Sequence, residues 1–306
     1  MNEAASGDGP RVRVRVPASS ANLGPGYDSF GLALALFDEV IARRNGSGLR
    51  IEVSGVGAGT VPTDGRHLVA RAAAAAFDAM DEPEPGMLLQ CTNAMPHGSG
   101  LGSSAAAIVA GILVARALTP NGEQRLPDQE VFTLATRMEG HPDNVAPVLF
   151  GGITIAWCPA GPGSAPRSVR LRAHPDLRAI ALVAERSCAT EDARAALPAT
   201  VPHADAAANS ARAGLLVYAL TTDPDLLLDA TDDRLHQPYR AAVMPESFAL
   251  LHRLRSAGIA AVLSGAGPSV LALGTHLPDP DSLRAAGFRA TRVELWQSGA
   301  TVEVLG

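Results

Sequence analysis

The chain contains no lysine: all 25 of its basic residues are arginine, set against 31 acidic residues for a formal net charge of -6. Without lysine there is no Walker A phosphate loop, whose Gly-Lys-Ser/Thr ending needs the ammonium. No run of basic residues appears, so the electrostatic footprint of a nucleic-acid binder is missing. The acidic balance mainly favours solubility. Cysteine is scarce as well. Cys91, Cys158 and Cys188 are odd in number and lack Cys-x-x-Cys spacing, which argues against a disulfide framework and a zinc site and fits thiols in a reducing compartment. Long apolar runs are also wanting. The longest, Ala105 to Ala115, falls short of the roughly 18 residues a membrane span needs. Residues 1–10 have neither an apolar stretch nor a basic start, and read as a short disordered tail rather than a signal peptide. These absences set the expectation of a soluble, cytoplasmic protein with neither nucleic acid nor membrane as partner.

What is present is ample core material. The 306 residues are 47% hydrophobic and 18% charged, enough for one large or two ordinary domains. Arg11–Val16 alternates polar and apolar residues as a half-buried strand does, and Pro17 is expected to end it in a Ser/Asn/Gly-rich loop reaching Gly26. Strands are predicted over 37–42, 50–53, 87–91 and 153–158, with helices over 66–80 and 104–118. A further helix starts near Asp128, with Val131, Leu134, Ala135 and Met138 on one face, and runs out at Gly140 before His-Pro-Asp-Asn. Residues 159–166, Pro-Ala-Gly-Pro-Gly-Ser-Ala-Pro, suit a linker or the tip of a surface hairpin. Beyond them come strands over 179–183, 260–263, 269–273, 291–295 and 301–305, and helices over 191–197, 205–220 and 248–257. Strands and helices mix without strict βαβ alternation, so the fold class is α+β.

Three stretches carry chemistry. The first is Pro96-His-Gly-Ser-Gly-Leu-Gly-Ser-Ser-Ala-Ala106. Glycines at 98, 100 and 102 let successive amides face one anion, and the helix opening at Ser103–Ser104 adds its N-terminal dipole. Such a phosphate cradle needs no lysine. A hydroxyl at the helix start also suits Mg²⁺, a cation that prefers oxygen. Rival motifs fit less well. A dinucleotide fingerprint read from Gly98 needs Gly at 103, which is Ser; read from Gly100, it lies too far from the preceding strand. A G-x-S-x-G elbow fails because residue 97 is His. The second stretch, Pro17 to Asp28, interleaves polar side chains with Gly and Pro after a strand, as a ligand-facing loop or a plain Asx-rich connector would. The third, Ser264-Gly-Ala-Gly-Pro-Ser269, is a tight turn whose glycines admit close approach of a phosphate or of the first loop; an ordinary hairpin turn has similar composition.

In order and spacing, these stretches together resemble the three signature motifs of the GHMP kinase family. Ser19–Asp28, Glu139–Pro147, Thr190–Arg194 and Leu263–Ser269 narrow the likeness to the family's homoserine kinase branch. The similarity runs from about Arg11 to the C-terminus. It implies a two-domain fold, with a half like ribosomal protein S5 domain 2 over 11–162, binding ATP, and a ferredoxin-like half over 163–306. It also implies transfer of the ATP γ-phosphoryl group to the side-chain hydroxyl of L-homoserine with Mg²⁺. By position, Pro96, Gly98, Ser99, Gly100, Leu101, Gly102, Ser103, Ser104, Gly265 and Gly267 would hold ATP. Ser104 and Glu139 would hold the metal, and Asn22, Asp28, His141, Asn144, Arg194 and Arg240 the acceptor. His67 and Leu68 fall where relatives bind adenine. The resemblance implies that Ser104, Glu139 and Asn144 would form the catalytic set. Several relatives carry an Asp base where this chain has Asn144, so the expectation is an oriented hydroxyl without a strong protein base, with Asp143 as the rival. A GHMP kinase for another hydroxylated metabolite and a non-catalytic ligand-binding relative stay open, as does a homodimer.

Overall fold

A computed structural model describes residues 10–46, 48–161 and 163–305. The expected disordered tail therefore lies outside the described residues except for Pro10, as does Pro162 at the expected domain boundary. Eleven strands are described: β1 (Arg11–Ala21), β2 (Phe30–Arg44), β3 (Leu49–Gly55), β4 (Met87–Asn93), β5 (Ile153–Trp157), β6 (Arg167–Leu171), β7 (Arg178–Ala184), β8 (Ala260–Leu263), β9 (Val270–Gly274), β10 (Phe288–Val293) and β11 (Thr301–Leu305). Helices α1 (Leu68–Ala79), α2 (Ser103–Leu118), α3 (Gly122–Arg125), α4 (Asp128–Glu139) and α5 (Pro142–Phe150) belong to the first part of the chain. The second part supplies α6 (Thr190–Ala195), α7 (His203–Thr221), α8 (Leu227–Ala230), α9 (Gln237–Arg240) and α10 (Pro245–Ser256). None of the described helices is long and apolar enough to cross a membrane.

Sheet one has the order β11-β1-β2-β4-β3, with β5 on the start of β2 and β6 outside β5. Its pairs are antiparallel apart from the parallel β3–β4. The alternation read in β1 is real: Val12, Val14 and Val16 are fully buried. The strand does not end at Pro17, however. It continues to Ala21 with a register shift between Pro17 and Ala18, because a bulge tolerates a residue with no N–H to give the ladder. That extension carries Ser19 and Ser20 into the interior. Helix α2 is apolar on nearly every side and is sandwiched by β1, β2, α1, α4 and α5, as an all-round hydrophobic helix must be. Gly111 permits this closeness, since a Cβ there would lie 2.2 Å from the Val69 carbonyl oxygen on α1.

Sheet two, β10-β7-β9-β8, is antiparallel and covered on both faces. Ile180 and Leu182 of β7 pack with Leu250, Leu251 and Leu254 of α10, whereas Ala179, Ala181 and Val183 face the main core. The segment 159–166 joins the antiparallel pair β5–β6. Sheet one thus takes β6 and β11 from beyond residue 162.

Candidate active site

Three turns are stitched together by backbone hydrogen bonds at the end of β1. Ser19 N–H donates to Leu101 O at 3.0 Å, Gly265 N–H to Ala21 O at 3.1 Å, and Ser269 N–H to Ser99 O at 3.1 Å. The chain leading into the glycine loop is anchored by Asp38, whose buried Oδ1 accepts from Ala94 N (2.7 Å) and Met95 N (3.0 Å). Gly98, Gly100 and Gly102 adopt φ of +63°, +86° and +71°, the left-handed region that favours glycine. Closeness adds a second reason. A Cβ on Gly100 would lie 2.2 Å from Ser264 O, and one on Gly102 would lie 2.0 Å from Ser19 Oγ. Helix α2 starts at Ser103 with Gly102 at its N-cap and no side-chain capping bond among the described residues.

A cavity of about 220 Å³ opens over this loop, lined by Gly98, Gly100, Gly102, Ser103 and Ser104 together with Asn22, Asp28, Glu139, His141, Asp143, Asn144, Arg194 and Arg240. Ser104 Oγ donates to Glu139 Oε1 at 2.6 Å. Burial raises the Glu139 carboxyl above its usual range, against the Ser104 bond and His141, which lower it. The two oxygens make a hard donor set that fits Mg²⁺ when phosphate oxygens and water complete the shell. Among the described residues no cluster of three or more His, Cys, Asp or Glu side chains could hold a metal alone. Asn144 Oδ1 accepts from Ser19 Oγ at 2.9 Å. Its neighbour Asp143, 2% exposed, is 2.5 Å from His141 Nδ1. Burial alone would lower the His141 pKa, but the bond to Asp143 and the negative charges of Asp143 and Glu139 together outweigh it and the net shift is upward.

In the same cavity, Arg194 of α6 pairs with Asp28 at 2.9 Å and donates to the Tyr27 hydroxyl at 3.4 Å. Asp28, Asn22 and Leu23 all have positive φ, a strain of about 1 kcal/mol or more each that the surrounding packing must hold. Asn22 does part of that holding: its Nδ2 donates to Gly265 O at 2.7 Å and its Oδ1 accepts from Asp28 N at 2.9 Å. Arg240 is 1% exposed and reaches the cavity from α9.

The glycine-rich loop and the start of α2 thus share one cavity with three carboxylates, two guanidiniums and an oriented amide. The model of the GHMP kinases N terminal domain matches residues 67–152, and that of the GHMP kinases C terminal matches 215–291. A homoserine kinase of Streptomyces avermitilis is 52% identical over 293 residues, covering 95% of each chain. The chain belongs to the GHMP kinase family, in its homoserine kinase branch. A homoserine kinase of Clavibacter michiganensis is 51% identical over 94% of this chain and 87% of its own. In structure, a homoserine kinase of Cytophaga hutchinsonii superposes with a TM-score of 0.83 at 27% identity, covering 99% of both chains. The α+β, two-domain GHMP fold expected from the sequence is therefore the fold of this kinase.

This GHMP kinase brings most of the expected site residues to one cavity, Gly265 among them. Pro96, Ser99, Leu101 and Gly267 do not line it. Ser99 and Leu101 are each 2% exposed, with Ser99 Oγ donating to Pro96 O at 2.7 Å. Pro96 and Leu101 line a separate cavity of about 460 Å³. A Cβ at Gly267 would meet Met244 Sδ at 2.5 Å. His67 occupies the N-cap position of α1 without a side-chain capping bond, and its buried Nδ1 has no hydrogen-bond partner among the described residues. Sequence reasoning overlooked four structural contributors. Asp38 and His236 lie outside every motif and carried no signal; Ser19 and Ser264 sit inside motifs but looked like loop hydroxyls. The helix α5 was also missed. Pro142 reads as a helix stop, yet it occupies the first helical position, where a missing N–H costs nothing.

Proposed function

We propose that this kinase transfers the γ-phosphoryl group of ATP to the side-chain hydroxyl of L-homoserine, giving O-phospho-L-homoserine for threonine biosynthesis in the cytoplasm. The observation that carries the reading is the shared cavity, to which the glycine loop contributes Gly98, Gly100, Gly102, Ser103 and Ser104 and which also takes in the Asp28–Arg194 pair and Arg240. A zwitterionic amino acid offers Asp28 an ammonium and the arginines a carboxylate, and guanidinium forks suit carboxylates. Between them its hydroxyl would reach the phosphoryl group.

The reaction breaks the bond from the γ-phosphorus to the β,γ-bridging oxygen and forms one from the homoserine hydroxyl oxygen to that phosphorus; the hydroxyl proton leaves. Such a transfer asks mainly for positioning and charge neutralisation. The amides of residues 98–104 and the start of α2 would neutralise the phosphates. Ser104 and Glu139 would hold Mg²⁺, which when bound supplies further neutralisation of the phosphate oxygens. Ser19 fixes Asn144 through Oδ1, leaving Nδ2 to orient the hydroxyl. Asp143 is engaged by His141, which argues against a free carboxylate base. The proton would then pass to an oxygen of the transferred group. We also propose a division of labour between residues 11–162, mainly nucleotide, and 163–306, which supply both arginines.

A coupled assay of ADP release with ATP, Mg²⁺ and a panel of hydroxylated acceptors tests the reading. L-homoserine is expected to lead the panel, with ³¹P NMR showing a phosphomonoester. Faster turnover of an isoprenoid alcohol, or failure to bind Mg·ATP at all, would refute it.

A further inference from the structure

Arg240 poses a physical problem. Its side chain is almost fully buried, yet no carboxylate pairs with it among the described residues. A buried guanidinium without a counter-ion is costly and is kept in place only by good hydrogen bonds. It has three: Nε donates to Ala193 O at 3.2 Å, and Nη1 donates to Gly265 O at 3.2 Å and to His236 Nδ1 at 2.9 Å. Nη2 has no protein acceptor among the described residues and belongs to the group that lines the cavity.

His236 is wholly buried, and its tautomer follows from its partners. Nε2 lies 2.8 Å from Gly24 O, and a carbonyl only accepts, so the ring proton sits on Nε2. Nδ1 then presents a lone pair, which is what Nη1 of Arg240 needs. Protonating the ring would remove that acceptor and set two cations side by side. The backbone around the ring is itself clamped. Asp233 Oδ2 accepts from His236 N at 3.1 Å and Gln237 N at 2.7 Å, while Oδ1 accepts from Leu235 N at 3.0 Å. The Tyr27 ring covers one face, 5.2 Å between centroids. Asp233, Arg240, Tyr27 and the more distant Asp28 are the titratable or charged groups bearing on the imidazole.

We infer that His236 is the positioning residue of the acceptor site: as a neutral imidazole it holds the Arg240 guanidinium so that Nη2 is left for the acceptor's carboxylate. The inference rests on the proposed reading, in which Arg240 meets that carboxylate. The order of action is Asp233 to the 235–237 backbone, that backbone to His236, His236 to Arg240, and Arg240 to substrate. An arginine side chain left unpinned must lose rotamer freedom at each binding event; one held by a buried acceptor has lost it already.

The two ring nitrogens allow the roles to be separated. His236→Asn puts a carbonyl oxygen near the Nδ1 position and gives up the Gly24 contact; His236→Gln reaches Gly24 and offers Arg240 no acceptor. A hydrogen bond to a charged group corresponds to roughly a tenfold effect or more. His236→Gln should therefore raise KM for L-homoserine about tenfold, with kcat and KM for ATP within about threefold of wild type. His236→Asn should bring that KM back to within about threefold. Should His236→Gln melt out at assay temperature, His236→Met fills the volume without the acceptor and takes its place. Unchanged KM for homoserine in the acceptor-less variant, an equal rise in KM for ATP, or no recovery in His236→Asn would overturn the inference. Wild-type enzyme inactive on homoserine would instead overturn the functional reading, so the two failures are told apart.

Discussion

Replacing Gly102 by alanine tests the architecture of the phosphate loop at its tightest point. The residue has φ of +71°, where a non-glycine residue costs about 1–2 kcal/mol. Its new methyl would lie 2.0 Å from Ser19 Oγ and 3.0 Å from Asn144 Oδ1, so Ser19 must rotate away and its 2.9 Å bond to Asn144 is lost. A net hydrogen bond adds about 1 kcal/mol, for a total of about 2–3 kcal/mol. Part of the effect should appear in turnover, because Asn144 loses the contact that aims it. Ser19→Ala alone should cost about 1 kcal/mol for the same bond. In Ser19→Ala/Gly102→Ala the clashing oxygen is gone and that bond is counted only once, so the double variant should be more stable than the summed singles by about 1 kcal/mol. Urea unfolding and steady-state kinetics on the four proteins measure this cycle. Strict additivity, or a Gly102→Ala enzyme with wild-type stability and turnover, would refute the packing argument.

Other outcomes follow from the same geometry. Asp143→Asn should keep turnover within about tenfold of wild type if no carboxylate base operates, whereas Asn144→Ala should lower kcat more; a thousandfold collapse of Asp143→Asn in a folded enzyme would identify a base. Ser104→Ala and Glu139→Gln should each raise the Mg²⁺ concentration needed for half-maximal activity, read from Mg²⁺ titrations at fixed ATP, and an unchanged requirement would exclude them as ligands. Burial pushes the His236 pKa down to about 4. The unfolded chain binds that proton below about pH 6.5 and the native one only near 4, so about 3 kcal/mol of stability should disappear as pH falls through this window. Urea unfolding at pH 7 and 4.5 should show the loss in wild type and a smaller one in His236→Asn; equal losses would show that the ring is not the group responsible.

Local pattern made much of this protein legible in its sequence. The apolar all-round run after Ser104 could only be a covered helix, and the glycines at 98, 100 and 102 announced backbone that approaches something closely. The order of the three turns then led to the family. What stayed hidden depends on contacts distant in sequence. Nothing near Asp38 says that it will accept from Ala94 and Met95, and nothing near His236 predicts Gly24 and Arg240 as its partners. Pro17 and Pro142 misled for a different reason. Proline reads as a terminator, but a bulge and a first helical turn both accept it without losing a hydrogen bond.

A crystal structure with a non-hydrolysable ATP analogue, Mg²⁺ and L-homoserine addresses the claim on which the rest depends. The account predicts the terminal phosphate against the amides of residues 98–104, with the homoserine hydroxyl beside Asn144 and its carboxylate on Arg194 and Arg240. A triphosphate bound elsewhere, with those amides facing solvent, would contradict it.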